Sequence, residues 1–202
     1  MKKILRCAMA IMLALTVVVT FTACGETEQA EKAVDDTMQA LQDATYDSDS
    51  EAAKAVQSEF DSLNITGLDE QDFMKALFGN LKYEITGSEK KDSDTVDVTM
   101  KVTNVDMENA ADKWVAQAKT DMTNTNSDLY QAILSGNSTQ MYKTLYDMLF
   151  DAIDENKDKT VTSEITVTVN KDDDGNWQMD PTSSDIDKMC GNIMEAMTNI
   201  NW

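Results

Sequence analysis

The hydrophobic pattern of this chain changes period four times, and that switching constrains the fold more than any other feature. Between 95 and 103, Val96, Val98, Met100 and Val102 alternate with threonine, aspartate and lysine. Val161, Ile165, Val167 and Val169 do the same among threonines. A period of two puts one set of side chains on each face of a strand, and β-branched residues suit that pleated surface. Leu81, Tyr83 and Ile85 alternate just before the first of these strands, and Trp177 and Met179 follow the second. Polar stretches at 87–93 and 172–176 join each pair. The spacing therefore predicts two antiparallel hairpins, about four strands in all, each with one buried face.

The remaining apolar residues recur at helical spacing. Ala30, Ala33, Val34, Met38 and Leu41 predict a helix over 28–43; Ala52, Ala53, Val56, Phe60 and Leu63 predict a second. Phe73, Met74 and Leu77 mark a short third helix, opened by Asp69 and stopped by Gly79-Asn80. Between the hairpins, Asp106 is an N-cap for a stripe of Met107, Ala111, Trp114, Val115, Ala118 and Met122. Leu129, Tyr130, Ile133 and Leu134 form a shorter helix ended by Gly136-Asn137. Met141, Leu145, Leu149 and Ile153 carry another to about 154, before a charged loop at 155–159. After Pro181, the residues Ile186, Met189, Cys190, Ile193, Met194 and Met197 read as one closing helix. The expected fold class is α+β: a bent antiparallel sheet wrapped by helices, in a single domain over 29–202 with a helical insertion over about 106–158.

The start of the chain is of another kind. Lys2, Lys3 and Arg6 precede an uncharged run from Ala8 to Phe21, and Phe21-Thr22-Ala23-Cys24 ends it. This is the layout of a secretory leader. The Cys placed after a small residue resembles a bacterial lipobox, although Phe21 stands where such a box has Leu. That resemblance implies a lipoprotein signal peptide over 1–23, cleavage before Cys24, and diacylglycerol on its thiol. Residues 24–28 are then the lipid anchor and a short tether, and the domain sits on the extracytoplasmic face of the cell membrane. Plain secretion and a retained helix are the other readings; the apolar run is at the short end for spanning about 30 Å of hydrocarbon.

Charge narrows the partners. Once the leader is removed, 14 lysines face 37 acids, a net of −23. No arginine and no histidine remain. Nucleic acid is excluded as a partner, because its binding rests on cations that neutralise phosphate. Guanidinium clamps, histidine metal ligands and the commonest general base are missing too. Cys7 leaves with the leader and Cys24 carries lipid, so Cys190 stands alone and no disulfide supports the domain. Its place on an apolar stripe predicts a small core residue.

The strand Leu81-Lys82-Tyr83-Glu84-Ile85, the closure Val102-Thr103-Asn104-Val105-Asp106-Met107, the turn Asp174-Gly175-Asn176-Trp177 and an amphipathic end with Gly191 resemble one family. They are similar to Gram-positive cell-surface lipoproteins with a domain like nuclear transport factor 2, a bent sheet wrapped into a cone. The resemblance runs over about 29–202. It implies a pocket inside the cone, with the insertion either covering its open end or packing outside the sheet. Enzymes of that cone fold use a cavity carboxylate with a tyrosine or acid donor.

No catalytic residue is identified. Tyr83 points inward with Leu81 and Ile85, but no inward Asp or Glu pairs with it, and Tyr130, Tyr142 and Tyr146 read as core packing. The run 170–176 has acids at alternate positions before a glycine, as a calcium loop does, yet the twelfth place from Asn170 is Pro181 rather than Glu. A hairpin turn accounts for it better. Asp151, Asp154, Glu155, Asn156 and Asp158 form a second acidic cluster, read as solvated surface. Five methionines (Met107, Met122, Met189, Met194, Met197) lie on two helical stripes and read as core, or as an adaptable surface for apolar ligands. No metal and no cofactor is expected. The sequence points to a non-enzymatic binding domain for a small apolar ligand or an envelope protein. A structural envelope component with a filled core, or a cone-fold isomerase or cyclase, are the alternatives.

Overall fold

The computed structural model describes residues 25–47, 49–63 and 65–199 and, within the second helix, the backbone alone at 51, 55, 59 and 61–63. The leader at 1–23 and the lipidation residue Cys24 lie outside the described residues. Helices α1 (Glu26–Tyr46), α2 (Glu51–Leu63) and α3 (Glu70–Phe78) come first. Strands β1 (Lys82–Lys90) and β2 (Thr95–Val105) follow, then the insertion α4 (Met107–Asp121), α5 (Asp128–Ser135) and α6 (Ser138–Glu155). Strands β3 (Thr160–Lys171) and β4 (Trp177–Asp180) lead to α7 (Ser183–Met189) and α8 (Ile193–Thr198).

The fold is α+β, with one open antiparallel sheet in the order β1-β2-β3-β4. The two hairpins are thus joined into a single meander. Its longest ladder, eleven pairs from Thr95↔Asn170 to Val105↔Thr160, links the strands on either side of the insertion. Alternation sorts the two faces as expected. Val96, Val98, Met100, Val102, Val167 and Val169 are all at or below 1% exposure. The other face carries threonines that pair across strands, Thr99 with Thr166 at 3.0 Å and Thr103 with Thr162 at 2.7 Å. An antiparallel sheet can leave such a face to water.

Helix α1 lies across the apolar face and touches all four strands. It presents Ala30, Ala33, Val34, Met38 and Leu41, each at or below 1% exposure. Its small residues let the helix approach closely, while Met38 and Leu41 each contribute about 1.5–3 kcal/mol by burial. Helix α1 runs from the β1–β2 turn to the far end of the sheet. Near its start, Ser88 Oγ donates to Glu31 (2.6 Å), Trp177 Nε1 donates to Gln29 (2.8 Å), and Lys90 pairs with Glu26. At its end the Tyr46 hydroxyl donates to the Gly79 carbonyl.

Asn104 fastens that far end. Its Nδ2 donates to the carbonyls of Leu77 (2.7 Å) and Met189 (2.6 Å), and its Oδ1 accepts from Val105 N (2.7 Å). One buried amide therefore ties β2 to the ends of α3 and α7. The insertion leaves the sheet here. It has a small core of its own, from Val115, Ala118, Leu129, Ala132 and Ala152, buried apart from the main one. Trp114 Nε1 donates to the Leu145 carbonyl (2.9 Å) and clamps α4 to α6.

Several expectations are corrected. Strand β1 runs on through Gly87 to Lys90, with a register shift between Ile85 and Gly87, so the turn is 91–94 rather than 87–93. A bulge absorbs the extra residue, and the alternation of apolar residues stops there, which hid the continuation. Helix α1 begins at Glu26, inside the expected tether. The single closing helix is two, broken at Gly191 and Asn192, whose φ values are 66° and 63°. A Cβ on Gly191 would stand 1.9 Å from the Val105 carbonyl oxygen, so the break is where the chain meets the end of β2. Met122 caps α4 at 36% exposure instead of joining its buried stripe. On α5 the buried residues are Leu129 and Ala132; Ile133 and Leu134 face out.

Candidate functional site

The cone resemblance implies a pocket on the sheet's apolar face. Val98, Met100, Val167 and Trp177 on the strands and Val34, Met38 and Leu41 on α1 are buried against one core, and Phe73 and Leu77 of α3 join it. Four clefts among the described residues are lined by helix and loop residues, with no strand residue in any of them.

Tyr83 does find a carboxylate. Its hydroxyl donates to Asp35 Oδ1 at 2.6 Å, from β1 to α1 across 48 residues of sequence. The partner was not legible because Asp35 follows Val34 on the outward side of its helix. Burial, the Asp35 hydrogen bond and the charges of Asp35 and Asp36 push the phenol well above the usual tyrosine range. Asp35 itself is exposed, so the pair straps helix to strand at the surface. The other tyrosines are not core residues either: Tyr130 and Tyr146 are half-buried and Tyr142 is 44% exposed. Tyr146 stacks on Phe150 at 6.4 Å, and burial raises its hydroxyl above the ordinary value.

Two further expectations concern single groups. Asp172 is the hub of the β3–β4 turn: it accepts from Asn176 N (2.8 Å), Asp174 N (3.0 Å), Asn176 Nδ2 (3.1 Å) and Gln178 Nε2 (3.0 Å). Those donors, the Asn176 backbone first, hold its carboxyl below the usual range. Both oxygens are turned inward on the loop, which is what a hairpin turn requires. Cys190 is 1% exposed at the end of α7, as its stripe predicted. Asp187 is half-buried and desolvation raises its carboxyl, while Met194 N donates to it at 2.7 Å and starts α8.

The acidic cluster read at 151–158 is in part surface and in part structure. Asp154 pairs with Lys157 (3.1 Å) and Glu155 with Lys113. Asn156 is buried rather than solvated, its Nδ2 donating to the Ala152 carbonyl (2.8 Å) at the end of α6. Asp151 has acidic neighbours from other helices. Asp147 and Asp151, one helical turn apart, face a bowl of about 470 Å³ together with Asp121 and Asp128. Asp151 also lines two adjoining clefts, about 380 Å³ between α3 and α6 and about 300 Å³ between α4 and α6. The spacing of 147 and 151 was the available signal; the approach of 121 and 128 depends on how α4 and α5 pack. Lys143 partly balances this field through Asp147 (2.9 Å), which raises the lysine's pKa.

Such a surface offers negative potential and hydrogen-bond acceptors. No group of three or more histidine, cysteine or carboxylate side chains is placed to hold a metal ion among the described residues. Of the five methionines singled out, Met107, Met189 and Met197 are core and Met194 is half-buried. No described helix is long and apolar enough to cross a membrane. The protein is thus defined structurally as an open four-stranded meander covered on one face by helices and carrying an acidic three-helix insertion. No family model matches the chain, and neither a characterised protein nor a solved structure is detectably similar to it.

Proposed function

We propose that this is a lipid-anchored, extracytoplasmic docking domain that works through its surface and catalyses no reaction. The observation that carries the reading is the covered sheet: α1 fills the place where a cone-type domain would hold a ligand, and the clefts lie among the outer helices. A filled interior favours an envelope protein over a small apolar molecule as the thing bound.

The anchor belongs to the same reading and rests on the leader and Cys24. With α1 starting at Glu26, only Gly25 would separate the lipidated residue from the folded domain. The domain would then sit close to the headgroups, and its excess of acids keeps it off an anionic surface rather than lying on it. Intact-mass measurement on protein extracted from membranes tests this. The expected mass is that of 24–202 plus diacylglycerol, and Cys24→Ala leaves the protein at its precursor mass. An unmodified wild-type chain cleaved elsewhere refutes the anchor.

A further inference from the structure

We propose that the tip of the insertion, α5 with the acidic bowl beside it, docks a cationic amphipathic segment of a partner protein. The inference deepens the surface reading above and takes from it the protein nature of the partner and the tether before Gly25.

Helix α5 turns apolar residues outward. Five of its eight residues are apolar, yet only Leu129 and Ala132 are buried. Leu134 is 69% exposed and Ile133 45% exposed, and Tyr130 shares their side of the helix at i, i+3, i+4 spacing. Scattered apolar residues on a surface are ordinary, but an apolar helix face turned outward at the end of a fold marks a contact.

Charge selects the occupant. The bowl next to α5 is lined by four aspartates and no lysine. Asp128 and Asp151 make no ion pair within the described residues, so their charge is available to an incoming cation. Over 106–158 ten acids face four lysines. A second copy of this chain would bring an equally negative tip, and an anionic bilayer would be repelled in the same way. A segment with lysine or arginine on one side and leucine-like residues on the other satisfies both parts of the surface.

Position agrees with charge. The start of α1 lies by Lys90 and Trp177 at one end of the sheet, whereas the insertion leaves from Val105 and returns at Thr160 at the other. A domain tethered just before Gly25 therefore carries α5 on its membrane-distal end.

The test uses the chain from Gly25 onward, which keeps every described core residue from Ala30 to Met197. The probe is a 14-residue amphipathic helix of leucine and lysine, with its leucine–glutamate counterpart as control, followed through isoleucine, leucine and methionine methyl NMR signals. The expected result is saturable shifts at Ile133, Leu134 and Met148, the last of which lines the bowl, lost in Leu134→Ser and weakened at least tenfold in Asp128→Asn/Asp151→Asn. Glu84→Gln/Glu164→Gln, on the open sheet face, removes the same charge and changes the affinity less than twofold. Shifts spread over the whole acidic surface, or equal weakening by the two double variants, overturn the proposal. Self-association abolished by Leu134→Ser assigns the face to a second copy and overturns it as well. So does binding to vesicles rich in phosphatidylglycerol without binding to the peptide. None of these outcomes touches the lipid on Cys24 or the closed interior, which are read by mass.

Discussion

Replacing Asn104 by alanine removes three hydrogen bonds at the point where the sheet, the first helices, the insertion and the last helices meet. The carbonyls of Leu77 and Met189, which its Nδ2 reaches at 2.7 and 2.6 Å, lose their side-chain donor in a buried site. A buried backbone group left without a partner costs about 1–3 kcal/mol, so the two carbonyls together give about 2–6 kcal/mol. Some water entering the space left by the amide puts the expected loss near 3–4 kcal/mol. For a domain of this size that lowers Tm by about 10 °C. Urea unfolding followed by circular dichroism measures it, with an unchanged m-value showing that the native state is still compact. Asn104→Asp sharpens the case: a carboxylate still accepts from Val105 N but meets two carbonyls. Its folded-state pKa is raised, so the variant is least stable at neutral pH and recovers as pH falls and the group protonates. A loss below about 1 kcal/mol for Asn104→Ala refutes the reasoning. So would an Asn104→Asp variant whose stability does not change with pH.

Other substitutions separate close packing from conformation. Gly191→Ala is expected to destabilise severely, since its Cβ meets the Val105 carbonyl oxygen at 1.9 Å and φ is 66°. Gly136→Ala, at φ 70° but with open space around it, should cost only about 1 kcal/mol in the same unfolding assay. Tyr83 titrates above its ordinary value, so its neutral form is favoured by folding; stability falls as pH rises past about 10, where the unfolded phenol ionises. Tyr83→Phe removes that part of the alkaline loss and, in absorbance at 295 nm, the last tyrosine to titrate. For Asp172, NMR should show a carboxyl titrating below the usual range, and Asp172→Asn should broaden the signals of 172–176 while leaving the core unaffected.

The sheet was legible because its signal is local. Thr95 to Thr103 alternates without a break and Val161 to Val169 breaks only at Ser163, and a one-residue slip would turn every valine to water. Caps at Asp69 and Asp106 were equally plain, since a side chain that accepts from the first turn lies within three residues of its partner. What stayed hidden depends on contacts between distant segments. Gly191 breaks the closing helix because Val105 stands against it, and the methionine stripe on either side gives no hint of that. Ile133 and Leu134 have the spacing of a buried face, but α5 is covered on its Leu129 side only. The Tyr83–Asp35 pair and the bowl of Asp121, Asp128, Asp147 and Asp151 arise the same way, from elements that packing brings together.

The central claim is that the interior is closed and the domain acts through its surface. Native mass spectrometry on the chain from Gly25 to Trp202, purified from its own cells and compared with its denatured mass, tests that most directly. The account predicts the same bare mass in both measurements. A non-covalent adduct of several hundred daltons, lost on denaturation, contradicts it and returns the cone's interior to the role of a ligand pocket.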